Sequence, residues 1–185
     1  SMMGATVHLV TNQADLTPVA SDLGLAIQPT RTLADCPSDL TIVFAPGGTL
    51  GTLAAASDPA TLRFLRDRAE TARCVTSVCT GSLILGAAGL LRGRKATSHW
   101  IARDILGHFG ATPVDHRVVI DGKVITGAGV SAGLDFALAV VEILRGRPYA
   151  EALMLQAEYN PEPPFAGGTL ATTPPSIGGP MRDMF

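Results

Sequence analysis

Short apolar runs alternate with stretches of helical periodicity along most of the chain. Residues 40–45 are almost continuously apolar, and Cys74–Val78 is a second run of the same kind. Apolar runs of this length are typical of strands that are covered on both faces of a sheet. Between them, Asp58 is a suitable N-cap for residues 59–72, whose apolar positions repeat at helical spacing. This alternation predicts an α/β fold with a mostly parallel sheet.

The same alternation continues towards the C-terminus. Asp121-Gly122 between two β-type runs is the strongest hairpin signal in the sequence. Gly89 and Gly110 each follow a helical stretch, and glycine commonly ends a helix. The pattern therefore predicts strands over residues 7–10, 25–27, 117–120 and 123–126, and helices over residues 83–88, 100–109, 131–144 and 149–159.

Length and composition indicate a single folded unit. The chain has 185 residues, of which 46% are hydrophobic and 16% charged. A chain of this size buries enough surface to fold without disulfides or a structural metal. We expect one domain over residues 1–185, in which residues 1–4 are the remnant of a cleaved tag and a disordered start. The Pro- and Gly-rich residues 161–185 are expected to form an irregular tail.

Charge and cysteine content narrow the function classes. With 14 basic and 16 acidic residues, the chain lacks the excess positive charge of a nucleic-acid or membrane-surface binder. No apolar window approaches the length of a membrane span, and no secretory signal is visible. Cys36, Cys74 and Cys79 are too unevenly spaced for a disulfide framework, which favours a reducing, cytoplasmic setting. No metal-ligand spacing is present, so no metal is expected.

Cys79 is the strongest candidate for chemistry. It lies where Cys74–Val78 ends and the helix predicted over residues 83–88 approaches. A sharp strand-to-helix turn, similar to the nucleophile elbow of α/β hydrolases, would expose its side chain at the carboxyl edge of the sheet. The Thr80 amide and the helix N-terminus would supply positive partial charge. The alternative is a buried structural cysteine, but the Thr-Gly-Ser sequence that follows lacks the bulk of a core segment.

Two further features are candidates for the same site. Gly47 and Gly48 end the preceding strand, and small residues there let backbone amides approach a ligand as oxyanion donors. Their simpler interpretation is a tight turn. His99 can serve as a hydrogen-bond partner or base for the thiolate, or it can merely cap and pack against the following helix.

The residues around Cys79 also carry a family resemblance. Ser77-Val78-Cys79-Thr80-Gly81-Ser82-Leu83, with the later segment 89–100, resembles the DJ-1/PfpI superfamily. Within that superfamily the sequence is most similar to the isocyanide hydratases, on residues 44–49, 126–136 and 156–161. The resemblance spans roughly residues 7–168.

This resemblance implies a flavodoxin-like three-layer sandwich, usually a homodimer, that hydrates isocyanides to N-substituted formamides without a cofactor. Cys79 would attack the terminal isocyanide carbon and form a thioimidate. A carboxylic acid would protonate that carbon, and water would then release the formamide. Thr80 would form a hydrogen bond near the site. The pocket would be bordered by Gly47, Gly48, Thr49, Gly129, Val130 and Ser131.

One departure from the family concerns the acid. The family carries an N-terminal strand and an acidic residue ahead of the strand with which this chain begins. Asp15, in Asp-Leu-Thr-Pro, follows the family's second strand and lacks the glycine of the family motif, so it is interpreted as a loop residue that could replace the acid. Without that strand the sheet would lack a central strand, and without that acid the reaction would lack its proton donor.

Two other functions fit the same residues. One is a different DJ-1-like thiol activity, of glyoxalase or amidase type, on a small carbonyl compound. The other is a non-catalytic ligand-sensing domain, as found in some transcription regulators. Those regulators carry a helix-turn-helix module after this domain, whereas here a Pro/Gly-rich tail follows.

Overall fold

The computed structural model describes residues 4–21 and 24–184. Residues 1–3, most of the segment interpreted as a tag remnant, lie outside the described residues. The strands are β1 (Val10–Thr11), β2 (Val19–Ala20), β3 (Ala26–Ile27), β4 (Arg31–Thr32), β5 (Ile42–Ala45), β6 (Cys74–Val78), β7 (Lys95–Ala96), β8 (Thr112–Pro113), β9 (Val118–Asp121) and β10 (Val124–Gly127). The helices are α1 (Leu50–Ser57), α2 (Pro59–Thr71), α3 (Gly81–Ala87), a 3₁₀ helix (Asp104–Phe109), α4 (Ala132–Arg145), α5 (Arg147–Gln156) and α6 (Pro175–Asp183).

The main sheet has four strands in the order β5-β6-β10-β9. β5, β6 and β10 are parallel, and β9 is antiparallel to β10. The prediction of an α/β fold with a mostly parallel sheet and one hairpin is confirmed. The parallel pairing places the ends of β5, β6 and β10 at the same edge of the sheet, since Ala45 is level with Ser77 and Gly127 with Val78.

Helices cover both faces of this sheet, which gives three layers. On one face, α2, α3 and the 3₁₀ helix bury a large apolar cluster that includes Leu65, Leu85 and Leu106. On the other face, α4 packs Phe136 and Val140 against the sheet. Strands that are covered on both faces need apolar residues on both sides, which explains the apolar run of β6, whereas β5 is only partly covered. None of the helices within residues 4–21 and 24–184 is long and apolar enough to cross a membrane.

The N-terminal strands lie outside the main sheet. β1 pairs with β4 and β2 with β3, each as a separate two-stranded sheet. Among the described strands, β5 pairs only with β6, so its other edge is an edge of the sheet. Phe44 on β5 is 49% exposed beside this edge.

Several predicted elements differ from the structure. An α-helix over residues 100–109 is wrong, because the amides of Ala102, Ile105 and Leu106 bond three residues back, and this produces turns and a 3₁₀ helix. The hairpin turn is centred on Gly122-Lys123 instead of Asp121-Gly122, since Asp121 pairs with Val124 and its carboxylate accepts the amide of Lys95.

Two helices were not predicted from the sequence. α1 follows the Gly47-Gly48 turn, and its alanines and leucines favour a helix. Leu50 and Leu53 are exposed, and only the small side chains of Ala55 and Ala56 pack against the apolar cluster, so the apolar pattern of α1 is weak. α6 lies inside the segment that was expected to be irregular. It begins with Pro175, and proline is well tolerated in the first turn because no intrahelical amide bond is needed there.

Gly81 is essential for the packing of α3 against β5. A β-carbon at Gly81 would overlap the carbonyl oxygen of Ala45 and lie 2.8 Å from the carbonyl carbon of Pro46. We therefore expect Gly81→Ala to lower the free energy of unfolding by about 1–3 kcal/mol, measured by urea denaturation. Gly107→Ala is the matched control, because a β-carbon there meets nothing within 4 Å. Equal stability of the two variants would contradict this account.

Candidate active site

The candidate site lies at the carboxyl ends of three parallel strands. β5 continues into Pro46, Gly47 and Gly48, β6 into Cys79, and β10 into the segment 128–131. Ligands bind at this edge in open α/β sheets because the strands end there and the following loops leave a crevice. The topology thus brings the predicted glycines, the cysteine and the 128–131 segment together, although they are far apart in sequence.

Cys79 adopts a strained backbone conformation. Its φ is +59°, which is uncommon for a residue other than glycine. Such strain persists only where the surroundings fix it. Here the Cys79 amide donates to the carbonyls of Gly127 (3.1 Å) and Ala128 (2.7 Å). Its carbonyl accepts from the hydroxyls of Ser82 (3.2 Å) and Ser98 (3.0 Å). The half-buried Cys79 side chain is thereby held at the strand-to-helix turn.

The Gly47 backbone lies directly against Cys79. A β-carbon at Gly47 would be 2.7 Å from the Cys79 β-carbon, 3.1 Å from its Sγ and 3.0 Å from the Thr80 amide nitrogen. Only a residue without a side chain fits here. The close approach also puts the Thr80 amide on the same side of the turn as the sulfur, which suits an oxyanion donor.

The Thr80 hydroxyl organises the loop that carries these glycines. It donates to the carbonyl of Gly48 at 2.7 Å and accepts from the Gly48 amide at 3.0 Å. It also lies 3.1 Å from the hydroxyl of buried Thr52 on α1. The Gly48 amide is therefore occupied by Thr80, and the predicted oxyanion role of Gly48 stays a prediction. Thr49 is the N-cap residue of α1 at the exposed end of this loop.

His99 contacts the opposite wall of the site. A β-carbon at Gly129 would be 3.3 Å from His99 Cδ2 and 4.0 Å from Nε2, so the imidazole lies against the Gly129 backbone. Nδ1 accepts the amide of Ile101 at 3.5 Å, which leaves Nε2 as the nitrogen on the Gly129 side. Beyond it, Val130 is 81% exposed and the Ser131 hydroxyl accepts from Arg117.

The pKa of His99 lies below its ordinary value of 6.5 because burial disfavours the charged imidazole. The unfolded chain binds a proton as the pH falls through 6.5, whereas the folded chain does so only at lower pH. The free energy of unfolding must therefore decrease as the pH drops from about 6.5 towards the folded pKa. We expect His99→Gln to reduce this decrease, measured by urea denaturation above and below pH 6.5. The exposed His108→Gln is the control, and identical pH dependence in His99→Gln and wild type would contradict the expectation.

The other cysteines have a different environment from Cys79. Cys36 and Cys74 are buried, and burial raises the pKa of each thiol, which disfavours the reactive thiolate. Cys74 is a core residue at the start of β6, packed in the cluster with Ile125. Cys79 is thus the most accessible of the three thiols.

Asp15 lies in an exposed turn. Its carboxylate accepts the amide of Thr17 at 2.9 Å, and the side-chain hydrogen bond with Thr17 lowers its pKa, so it is ionised. None of the carboxylates in residues 4–21 and 24–184 accepts a hydrogen bond from Cys79. Across the same residues, no cluster of three or more His, Cys, Asp or Glu side chains could hold a metal ion.

Sequence reasoning missed the residues that hold Cys79 in place. Ser82 and Ser98 bind its carbonyl, and Thr97 is anchored by donating its amide to the Thr126 hydroxyl at 2.9 Å. In the sequence, the only sign of this role is that hydroxyl residues occur close to Cys79 and directly before His99. The structure shows that Ser82, Thr97 and Ser98 are fully buried. Their partners lie on other elements, so sequence spacing alone does not identify them.

Comparison with known proteins identifies the family of this chain. The model of the DJ-1/PfpI family matches residues 1–143, which is most of the chain. The chain belongs to the DJ-1/PfpI family. Its relatives in that family include the isonitrile hydratase of Pseudomonas putida, which is 49% identical over 177 residues, 96% of this chain and 76% of that protein.

The family also includes a protein of known crystal structure and an enzyme with a different activity. A ThiJ/PfpI family protein from Pseudomonas syringae has a crystal structure that superposes with a TM-score of 0.94 at 56% identity, covering 98% of this chain and 74% of that one. The glutathione-independent glyoxalase DJR-1.2 of Caenorhabditis elegans is 30% identical over 138 residues, 74% of this chain and 73% of that protein. The fold is thus the flavodoxin-like fold of the DJ-1/PfpI family, whose members differ in chemistry.

Proposed function

We propose that this protein hydrates isocyanides to N-substituted formamides, with Cys79 as the nucleophile. The observation that carries the proposal is the strained, hydrogen-bonded turn that presents a half-buried Cys79 where three strand ends meet. The 49% identity to an isonitrile hydratase over 96% of this chain supports that choice of substrate.

The first step forms a covalent intermediate. The sulfur of Cys79 attacks the terminal isocyanide carbon, and a proton, equivalent to the one lost by the thiol, is added to that carbon. The product is a thioimidate in which the former isocyanide nitrogen is double-bonded to the carbon. The Thr80 amide, next to Gly47 and the sulfur, is the donor placed to stabilise charge that develops in this step.

The second step consumes one water molecule. Water adds to the thioimidate carbon, the carbon–sulfur bond breaks, and the nitrogen takes up a proton. This releases the formamide and returns Cys79 to its starting state. All atoms come from the isocyanide, water and the thiol, so the balanced reaction requires no cofactor.

Two residues, Asp15 and His99, are candidates for transferring the proton. Asp15 is the candidate from the sequence, but its exposed turn with Thr17 and its lowered pKa do not support a proton-donor role. His99 is kept neutral by burial and borders the site at Gly129, so it would accept the Cys79 thiol proton as a base and, once protonated, transfer it to the isocyanide carbon. Both assignments are part of the proposal.

The function can be tested with para-nitrophenyl isocyanide in water enriched in oxygen-18. We expect the purified protein to form the formamide with one labelled oxygen, detected by mass spectrometry. Mass spectrometry of the protein after rapid acid quenching should show the isocyanide mass added to the Cys79 peptide. A folded protein that forms neither formamide nor adduct would contradict the hydratase proposal and favour a non-catalytic ligand-sensing domain.

A glyoxalase activity is the second candidate. The observation in its favour is the 30% identity to the Caenorhabditis elegans glyoxalase over 74% of this chain. The same thiol would add to the aldehyde of methylglyoxal to give a hemithioacetal, and transfer of a proton from that carbon to the neighbouring carbonyl carbon would give a lactoyl thioester. One water molecule would then hydrolyse the thioester, releasing lactate and the Cys79 thiol. Lactate formation without formamide formation would favour this candidate over the hydratase.

The assembly and setting are also part of the proposal. We infer a single domain that works as a homodimer on a small-molecule substrate. A cytoplasmic setting is supported by the three free cysteines, because reduced thiols are typical of that compartment.

A further inference from the structure

Arg117, Asp135 and Tyr159 form a hydrogen-bonded chain beside the candidate site. Arg117 donates from Nε to Asp135 Oδ2 at 2.6 Å, and its second terminal nitrogen lies 2.5 Å from the same oxygen. The Tyr159 hydroxyl donates to Asp135 Oδ1 at 2.8 Å. The Asp135 carboxylate thus joins the strand layer, through Arg117 just before β9, to the segment that follows α5.

Arg117 also connects this chain to the backbone around Cys79. Its carbonyl accepts the Ala128 amide at 2.8 Å, and the Ala128 carbonyl accepts the Cys79 amide at 2.7 Å. The Arg117 guanidinium reaches the Ser131 hydroxyl at 3.5 Å. One residue therefore contacts the 128–131 segment at both ends, and this segment holds the strained cysteine.

Tyr159 is fixed by the end of α5. Glu158 has a φ of +47°, which makes it, with Cys79, one of the two non-glycine residues with positive φ in the described part of the chain. The Glu158 amide bonds the carbonyl of Leu155 and the Tyr159 amide bonds the carbonyl of Met154, each at 3.0 Å. This is a Schellman-type helix end with Glu158 in the place of the usual glycine. The two hydrogen bonds stabilise the strained conformation of Glu158 and fix the backbone position of Tyr159.

We propose that Arg117, Asp135 and Tyr159 are positioning residues that hold the 128–131 segment against Cys79 and thereby set the reactivity of its sulfur. The inference rests on the proposed role of Cys79 as a nucleophile. None of the three residues needs to touch the substrate, because they act through Ala128 and Ser131.

A purely structural role is the competing explanation. The Arg117 side chain is 57% exposed and that of Asp135 31%, so solvent screens their ion pair and keeps its contribution to fold stability small. A loss of Cys79 reactivity without a matching loss of stability therefore separates positioning from simple stabilisation.

The test compares Tyr159→Phe and Asp135→Asn with wild type. We expect each to slow the alkylation of Cys79 by iodoacetamide, followed by peptide mass spectrometry, by about 2- to 10-fold, the equivalent of one hydrogen bond. The kcat for formamide formation should fall by a similar factor with KM unchanged, and the urea midpoint should stay near that of wild type. Because both residues act through one chain, the double variant should be no slower than Asp135→Asn alone.

Matched variants complete the experiment. Tyr149→Phe removes a hydroxyl from the same helical layer, and Glu151→Gln breaks the exposed ion pair with Arg147, so neither should change alkylation. Arg117→Lys keeps the charge and should retain part of the alkylation rate that Arg117→Met loses. Wild-type alkylation rates in Tyr159→Phe and Asp135→Asn, or additive losses in the double variant, would overturn the inference. Alkylation requires no isocyanide, so this comparison decides the positioning role even if the wild-type protein forms no formamide.

Discussion

Replacing Cys79 by alanine is expected to abolish formamide production, with a loss in kcat/KM of about 10³-fold or more. The thioimidate requires a sulfur at the turn where β6 ends, and neither of the other two thiols can take over. Cys36 and Cys74 are buried, whereas Cys79 is half-buried at the site. The measurement is formamide formation from para-nitrophenyl isocyanide, with circular dichroism to confirm folding.

Two variants act as controls for this result. Cys36→Ala removes a thiol outside the main sheet and should retain wild-type turnover. Cys79→Ser keeps the size and polarity of the side chain but has a far weaker nucleophile, so it should be as inactive as Cys79→Ala. Wild-type turnover in Cys79→Ala would contradict the covalent mechanism.

The main sheet could be predicted because its sequence pattern has one physical cause. β6 is buried on both faces, and β5 at the sheet edge is buried at Val43 and Ala45, and this burial favours the apolar runs seen in the sequence. The short strands were harder to predict. β1 is Val10–Thr11, so only Val10 of the predicted residues 7–10 lies in the strand, and Val7 and Leu9 are exposed beside it. Apolar sequence alone does not show which residues find a pairing partner.

The candidate site was predicted only in part. Cys79 and Gly47 were identified because a strand-to-helix turn and a glycine-rich strand end each have a local signature. The residues that fix the cysteine have none, since the Ser98 hydroxyl and the Ala128 carbonyl bind the Cys79 backbone from other parts of the chain. The hydrogen bonds of the Thr80 hydroxyl to the Gly48 backbone are of the same long-range kind. Such long-range hydrogen bonds depend on topology that a single sequence does not specify.

Gly47→Ala is expected to reduce kcat/KM by about 10²-fold, because a small displacement of reacting groups has effects of this size. The new β-carbon would be 2.7 Å from the Cys79 β-carbon and 3.1 Å from its Sγ. Cys79 cannot easily move, since hydrogen bonds to its amide and carbonyl fix its φ of +59°. The loop that carries Gly47 must therefore shift, which moves the backbone next to the sulfur and the Thr80 amide. Formamide formation and alkylation of Cys79 by iodoacetamide should both slow.

Gly133→Ala makes the same chemical change close to the site without this overlap. A β-carbon at Gly133 would lie 3.7 Å from Val78, an ordinary contact, and alanine is the better residue inside α4. Gly133→Ala should therefore retain wild-type activity with equal or greater stability. If Gly47→Ala also kept wild-type turnover and alkylation, the contact between the glycine backbone and the sulfur would have no catalytic role. If it lost activity only through unfolding, seen as a lower urea midpoint, the close approach would matter for the fold alone.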